Sequence, residues 1–149
     1  MGFFDIFKKK LKFNDDIFGE LGYTIFKDPL KNFYDGTIIF NLQEIGINID
    51  ADENGPTIEQ KDFYIKIRDN YNSIKNDIII PYLNKELIDW LDGNLIQDFD
   101  KEFSVDGIAI SRIKLQQIEW SFTFYCKKID HYVTIDFKDL NPQCNTVDG

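Results

Sequence analysis

Apolar and polar residues alternate with period two in two separate parts of this chain, and between them the period lengthens to that of a helix. Leu21, Tyr23 and Ile25 alternate with more polar neighbours before the break at Asp28-Pro29. Asp35-Gly36 reads as a turn, followed by alternation at Ile38, Phe40 and Leu42. Gln43-Glu44 then separates these from Ile45, Ile47 and Ile49, with Gly46 and Asn48 facing the other way. This pattern predicts strands with one buried face. Three such strands joined by tight turns predict an antiparallel meander.

At Asp50 the period changes. Thr57 followed by Gln60 is a capping-box pattern, with Pro56 at the entry and Glu59 in the first turn. Phe63, Ile67, Tyr71 and Ile74 fall on one helical stripe. Asn76-Asp77 and Pro81 predict a break or kink, because proline clashes with the preceding turn. A further helix, or a pair of short ones, carries Leu83, Leu87, Ile88 and Leu91 with Trp90 beside them, and Asp92-Gly93-Asn94 ends it. From Leu95 to Asp106 the chain reads as acidic and irregular. Strands return at Ile108 and Ile110, with Ile113 as a further candidate. The clearest alternation follows in Ile118, Trp120, Phe122, Phe124 and Cys126. Lys127–Asp130 supplies a turn, and Val133, Ile135 and Phe137 line the return strand.

The expected fold is therefore α+β in a single domain over residues 1–149: an antiparallel sheet, built from an N-terminal meander and C-terminal strands, covered on one face by a central helical segment. Residues 141–149 read as a loose tail. Residues 1–13 read as a basic amphipathic segment, a short helix that places Phe3, Phe7 and Leu11 on one stripe. It is either an interfacial membrane helix or a terminal segment that docks as a helix on its own domain or frays. So short an apolar stripe binds a membrane weakly, which favours the second reading.

Composition sharpens this picture. The 14 Phe, 7 Tyr and 2 Trp demand a packed interior or a partner surface. Lys8, Lys9, Lys10 and Lys12 against Asp5 give residues 1–12 a net +3, which leaves −12 of the total −9 on the rest of the chain. So acidic a body repels phosphate backbones and disfavours nucleic acid. A basic protein partner fits better. Cys126 and Cys144 form neither a disulfide framework nor a zinc spacing, as expected for reduced thiols of a cytoplasmic protein. No stretch approaches the ~20 apolar residues of a membrane span, and no cofactor motif occurs.

Three groups of residues are candidates for chemistry. Asp50-Ala51-Asp52-Glu53-Asn54-Gly55 matches the first half of a calcium loop, so Asp50, Asp52, Asn54 and the nearby Glu59 are candidate metal ligands. The pattern's twelfth position is Lys61, however, where a bidentate Glu belongs. The competing reading is an acidic strand-to-helix turn favoured by the helix dipole. The second group is the segment Glu86–Asp106, with seven carboxylates against Lys101 alone. Asp98, Asp100 and Glu102, interleaved with Phe99 and Phe103, are candidate partner-binding residues, the acids as steering charges and the rings as anchors. A solvated face with core-packed rings is the competing reading. Catalysis by paired carboxylates needs a cleft and a raised pKa, and the pattern shows neither. The third group is Cys126 with His131, the only histidine. Strand alternation puts Cys126 on the apolar side, which favours inert packing.

The stretches IDADENGPTIEQKDFY (Ile49–Tyr64), IQDFDKEF (Ile96–Phe103) and WSFTFYCKKIDHYVTIDFKD (Trp120–Asp139) resemble a family of small bacterial cytosolic proteins that carry a domain of unknown function. Some of its members are encoded near toxin-immunity genes. The resemblance spans most of residues 15–140 and brings no catalytic residue with it. What it implies is an immunity-like, non-enzymatic binding protein. The alternative expectation is a calcium- or ligand-binding protein that uses the Asp50–Gly55 loop.

Overall fold

The computed structural model describes residues 9–149. Eight strands form one sheet in the order of the sequence: β1 (Lys9–Asp15), β2 (Gly19–Ile25), β3 (Phe33–Phe40), β4 (Gln43–Asp50), β5 (Phe103–Ile110), β6 (Glu119–Cys126), β7 (His131–Lys138) and β8 (Asn141–Asp148). Every neighbouring pair is antiparallel except β4 with β5, which run parallel. Parallel neighbours need a long crossover. Here residues 51–102 supply it, and they carry the helices: α1 (Ile58–Asp69), α2 (Tyr71–Ile74), a π-helical turn (Lys75–Ile79), α3 (Ile80–Glu86) and α4 (Phe99–Glu102).

The ladder register shows why one face is covered and the other is bare. One row of Cα partners runs across the whole sheet as Leu11, Tyr23, Tyr34, Ile49, Ile110, Trp120, Phe137 and Pro142. The adjacent row runs Lys12, Gly22, Asp35, Asn48, Ala109, Ser121, Asp136 and Cys144. Side chains of successive residues point to opposite faces. From Tyr23 to Phe137 the first row therefore joins the core, where Tyr23 stacks on Tyr34 and Phe63 of α1 meets Trp120 edge-on, while Leu11 on the edge strand stays exposed. The second row offers too little apolar surface to hold a covering layer.

The capping box at Thr57 and Gln60 forms as the sequence predicts, with both reciprocal bonds made. The helical stripe Phe63, Ile67, Tyr71 and Ile74 is buried. Pro81 is accommodated by the π-helical turn just before it, which widens the helix where the ring and its missing N–H break the regular ladder.

Several expectations are corrected. Asp35-Gly36 is no turn: it lies inside β3, paired with Asn48 and Ile47. The turn after β3 falls at Asn41-Leu42, not Gln43-Glu44. Both residues have positive φ (49° and 66°), as a two-residue hairpin loop requires, and Leu42 is left 96% exposed. Leu11 belongs to a strand and not to a helix, because residues four apart share a face in either conformation. Phe3 and Phe7 lie outside the described residues. Ile113 lies beyond the end of β5, and Phe103–Asp106, read as irregular, opens that strand. Residues 141–149 are no loose tail, since Asn141–Asp148 forms β8. An edge strand has one neighbour and little apolar alternation, and Pro142 is tolerated at its start. No helix among the described residues is long and apolar enough to cross a membrane.

Candidate functional site

The Asp50–Gly55 loop sits where β4 hands over to α1. Asp52 Oδ1 accepts from Asn54 N–H at 2.9 Å, and Gly55 N–H donates to Asp52 O, so this carboxylate closes its own turn. Tyr34 Oη donates to Asp52 O at 2.6 Å. Gly55 has φ of +91°, and a Cβ there would fall 2.4 Å from the Phe13 ring, so glycine serves the close approach of β1. Lys61, at the position where a calcium loop needs its closing Glu, ties Asp15 at the end of β1 and Asp16 of the turn after it at 3.0 and 2.7 Å. The half-match is thus explained by folding. Asp50, Asp52, Asn54 and Glu59 are not brought together as ligands, and among the described residues no three His, Cys, Asp or Glu side chains could hold a metal ion.

The same region nevertheless encloses a cleft of about 590 Å³, at the carboxyl ends of the parallel pair and the start of α1. Buried Gln60 closes its floor: Nε2 donates to Asp50 O at 2.9 Å and to Ser111 O at 3.0 Å, clasping the ends of β4 and β5. Asp50, Asp52 and Glu59 line the cleft with Arg112, Ile113 and Ile118. Burial pushes the Asp50 carboxyl above its ordinary pKa, against the opposing charges of Arg112 and Lys114. Arg112 is itself engaged, donating from Nη2 to Pro29 O at 2.8 Å.

The acidic segment divides once it is folded. Phe99 and Phe103 are core residues, 6% and 2% exposed, stacked at a centroid distance of 4.8 Å. They cannot serve as surface anchors. Glu102 is buried too: Oε2 accepts from Gln97 and Asp98 N–H at 2.8 and 2.7 Å, and Oε1 pairs with Lys128 at 2.6 Å. Burial works against its ionisation, but Lys128 and the two backbone donors outweigh it and hold the carboxyl below its ordinary range. Asp100 pairs with buried Lys75 of the π-helical turn at 3.0 Å. Asp98 caps α4 through Lys101 N–H. Only Asp98, of the five residues singled out, keeps an exposed side chain without a long-range tie.

What stays at the surface lies nearer the end of α3. Glu86, Asp89 and Asp92 are exposed, and among them Trp90 is 48% exposed. The Trp90 ring sits 5.5 Å from that of His131, at the start of β7. Asn84 Oδ1 accepts from Ile96 N–H at 2.8 Å and folds the following loop back on α3, where Leu95 also stays exposed. Trp90 was not legible as a surface residue: it lies seven residues after buried Leu83, a helical spacing that would place it on the buried face, but the helix ends at Glu86 and Trp90 falls in the turn that follows.

Cys126 and His131 are ladder partners, but Cys126 is fully buried and burial raises its thiol pKa. His131 Nδ1 is within 2.6 Å of Ile129 O, and its ring lies 5.5 Å from that of Trp90. Cys144 is exposed on β8. Its contact with Asp136, at 3.4 Å, raises its thiol pKa first, and partial desolvation adds to this. Neither cysteine has the electropositive setting of a reactive thiolate.

No family model matches the chain, and neither a curated protein nor a solved structure matches it.

Proposed function

We propose that the chain is a non-enzymatic protein-binding module of the immunity or antitoxin kind, acting in the cytoplasm and meeting a basic partner with an acidic surface. The observation that carries this reading is the exposure of Glu86, Asp89 and Asp92 around a half-exposed Trp90 at the end of α3. Carboxylates of one sign steer an oppositely charged partner and select against wrong ones. An exposed tryptophan among them supplies the apolar contact that charge alone lacks. The resemblance of Ile49–Tyr64, Ile96–Phe103 and Trp120–Asp139 to a bacterial family with some members encoded near toxin-immunity genes favours the same reading, by association only.

The test is partner capture at low and high salt with wild type and the Asp89→Asn/Asp92→Asn variant. Neutralisation slows association more than it speeds dissociation. The difference fades as salt rises, because exposed charges are screened over about 8 Å at physiological ionic strength. Equal association rates for the two proteins at low salt would remove the reading.

A second reading rests on the cleft at Asp50. Its volume is in the range of small-ligand sites, and it lies at the carboxyl ends of parallel strands, where such sites recur. In that reading a small polar molecule, and not calcium, occupies it.

A further inference from the structure

The cleft where β4 hands over to α1 is lined by two opposite charges that do not pair. Asp50 and Arg112 both line it, and Arg112 is close enough to lower the Asp50 pKa against the larger effect of burial. Yet among the described residues no ion pair or hydrogen bond joins them, and the partly buried Asp50 carboxylate has no donor of its own. Each is held in place by a main-chain tie. Gln60 Nε2 donates to Asp50 O at 2.9 Å, and Arg112 Nη2 donates to Pro29 O at 2.8 Å. The tie at Pro29 leaves the guanidinium with donors to spare, and its Nε is buried without an acceptor among the described residues. A polar group left unmade in such a setting costs stability and calls for a partner.

We propose that this cleft binds a small zwitterion of the amino-acid kind, its ammonium on the Asp50 carboxylate, its carboxylate on the Arg112 guanidinium and an apolar side chain against Ile113 and Ile118. The inference rests on the small-ligand reading of the cleft above and names the class of molecule. The lining disfavours simpler ligands. Asp52 and Glu59 also line the cleft and repel a lone anion, while Arg112, with Lys114 acting on the same carboxyl, repels a lone cation. A molecule with both charges bridges the gap that the two side chains leave between them. Guanidinium–carboxylate bonds are charge-assisted and planar, so they also fix its orientation. A volume of about 590 Å³ accommodates a branched aliphatic side chain.

The experiment titrates the full chain by calorimetry with leucine, with 4-methylpentanoate, which lacks the amine, and with 3-methylbutylamine, which lacks the carboxylate. A neutral sugar, glucose, is the fourth probe. Leucine binds wild type at least about tenfold tighter than either half, since each half forgoes charge-assisted bonds at one end. Asp50→Asn brings leucine down to the level of 4-methylpentanoate, and Arg112→Gln brings it down to that of 3-methylbutylamine. Arg112→Lys keeps the charge without the planar fork and retains part of the affinity. Melting curves of the three variants confirm that they fold, so these losses are read as losses of binding. Equal binding of leucine and one of its halves by wild type overturns the zwitterion and leaves a cleft that takes a singly charged ligand. Glucose binding without leucine binding overturns it too and leaves a site for neutral molecules. Leucine affinity that survives both Asp50→Asn and Arg112→Gln overturns the assigned contacts. Binding of none of the four probes overturns the zwitterion and the small-ligand reading together.

Discussion

Trp120 lies flat against Phe137 across the β6–β7 ladder, ring centroids 4.4 Å apart and planes 15° from parallel. Its indole N–H donates to Asp139 O, so the ring is buried with its one polar atom satisfied. Trp120→Ala removes the stack, the edge contact with Phe63 and that hydrogen bond. Unfolding in urea then shows a loss of about 3–5 kcal/mol, as other large core truncations do. A loss below about 1 kcal/mol, the scale of surface changes, would contradict this packing.

Glu102 makes folding sensitive to acid. Its folded pKa lies below that of the unfolded chain, so its contribution is fully present above the unfolded value of about 4.3 and is lost as pH falls through the folded one. Wild-type stability measured against pH therefore drops below about pH 5. Glu102→Gln is less stable at neutral pH, by about 1–3 kcal/mol for hydrogen bonds and a buried pair left unmade, and its acid limb is flatter. Parallel curves for the two proteins would refute the assignment. Neutralising Asp98, Asp100 and Glu102 together thus weakens the fold as well as the surface, and the exposed pair Asp89 and Asp92 is the cleaner probe of binding.

The Asp50–Gly55 loop keeps its conformation without calcium, since Asn54 N–H, Tyr34, Phe13 and Gln60 already hold it. The melting temperature stays the same with added calcium or with chelator. A rise that follows calcium concentration would mean binding to the native state and would restore the metal reading.

Legibility in the sequence followed how many partners constrain each position. Trp120, Phe122 and Phe124 alternate cleanly because β6 has neighbours on both sides and a helical layer above. Thr57 and Gln60 were readable because a capping box is a local pattern. β8 was missed because an edge strand with one bare face needs no apolar repeat. The Asn41-Leu42 turn was missed because leucine is a poor residue at positive φ, and the adjacent Gln43-Glu44 offered a more polar alternative. For the candidate surface, charge density marked an acidic segment but not which of its carboxylates stay exposed. Whether Glu102 faces water or Gln97, Asp98 and Lys128 depends on how a loop closes, and that is not local information.

Strand order that follows sequence order also sets the kinetics of folding. Seven contacts between neighbouring strands build the sheet; six are hairpin-like, and their closure entropy is small. The seventh, β4 with β5, must wait for residues 51–102 to condense, and it joins through four residue pairs, Gly46–Gly107 to Ile49–Ile110. The chain thus resembles two meanders sharing one seam, and the entropic barrier is concentrated at that seam. Changes along Ile47–Ile108 and Ile49–Ile110 slow folding, while changes on the outer strands mainly hasten unfolding.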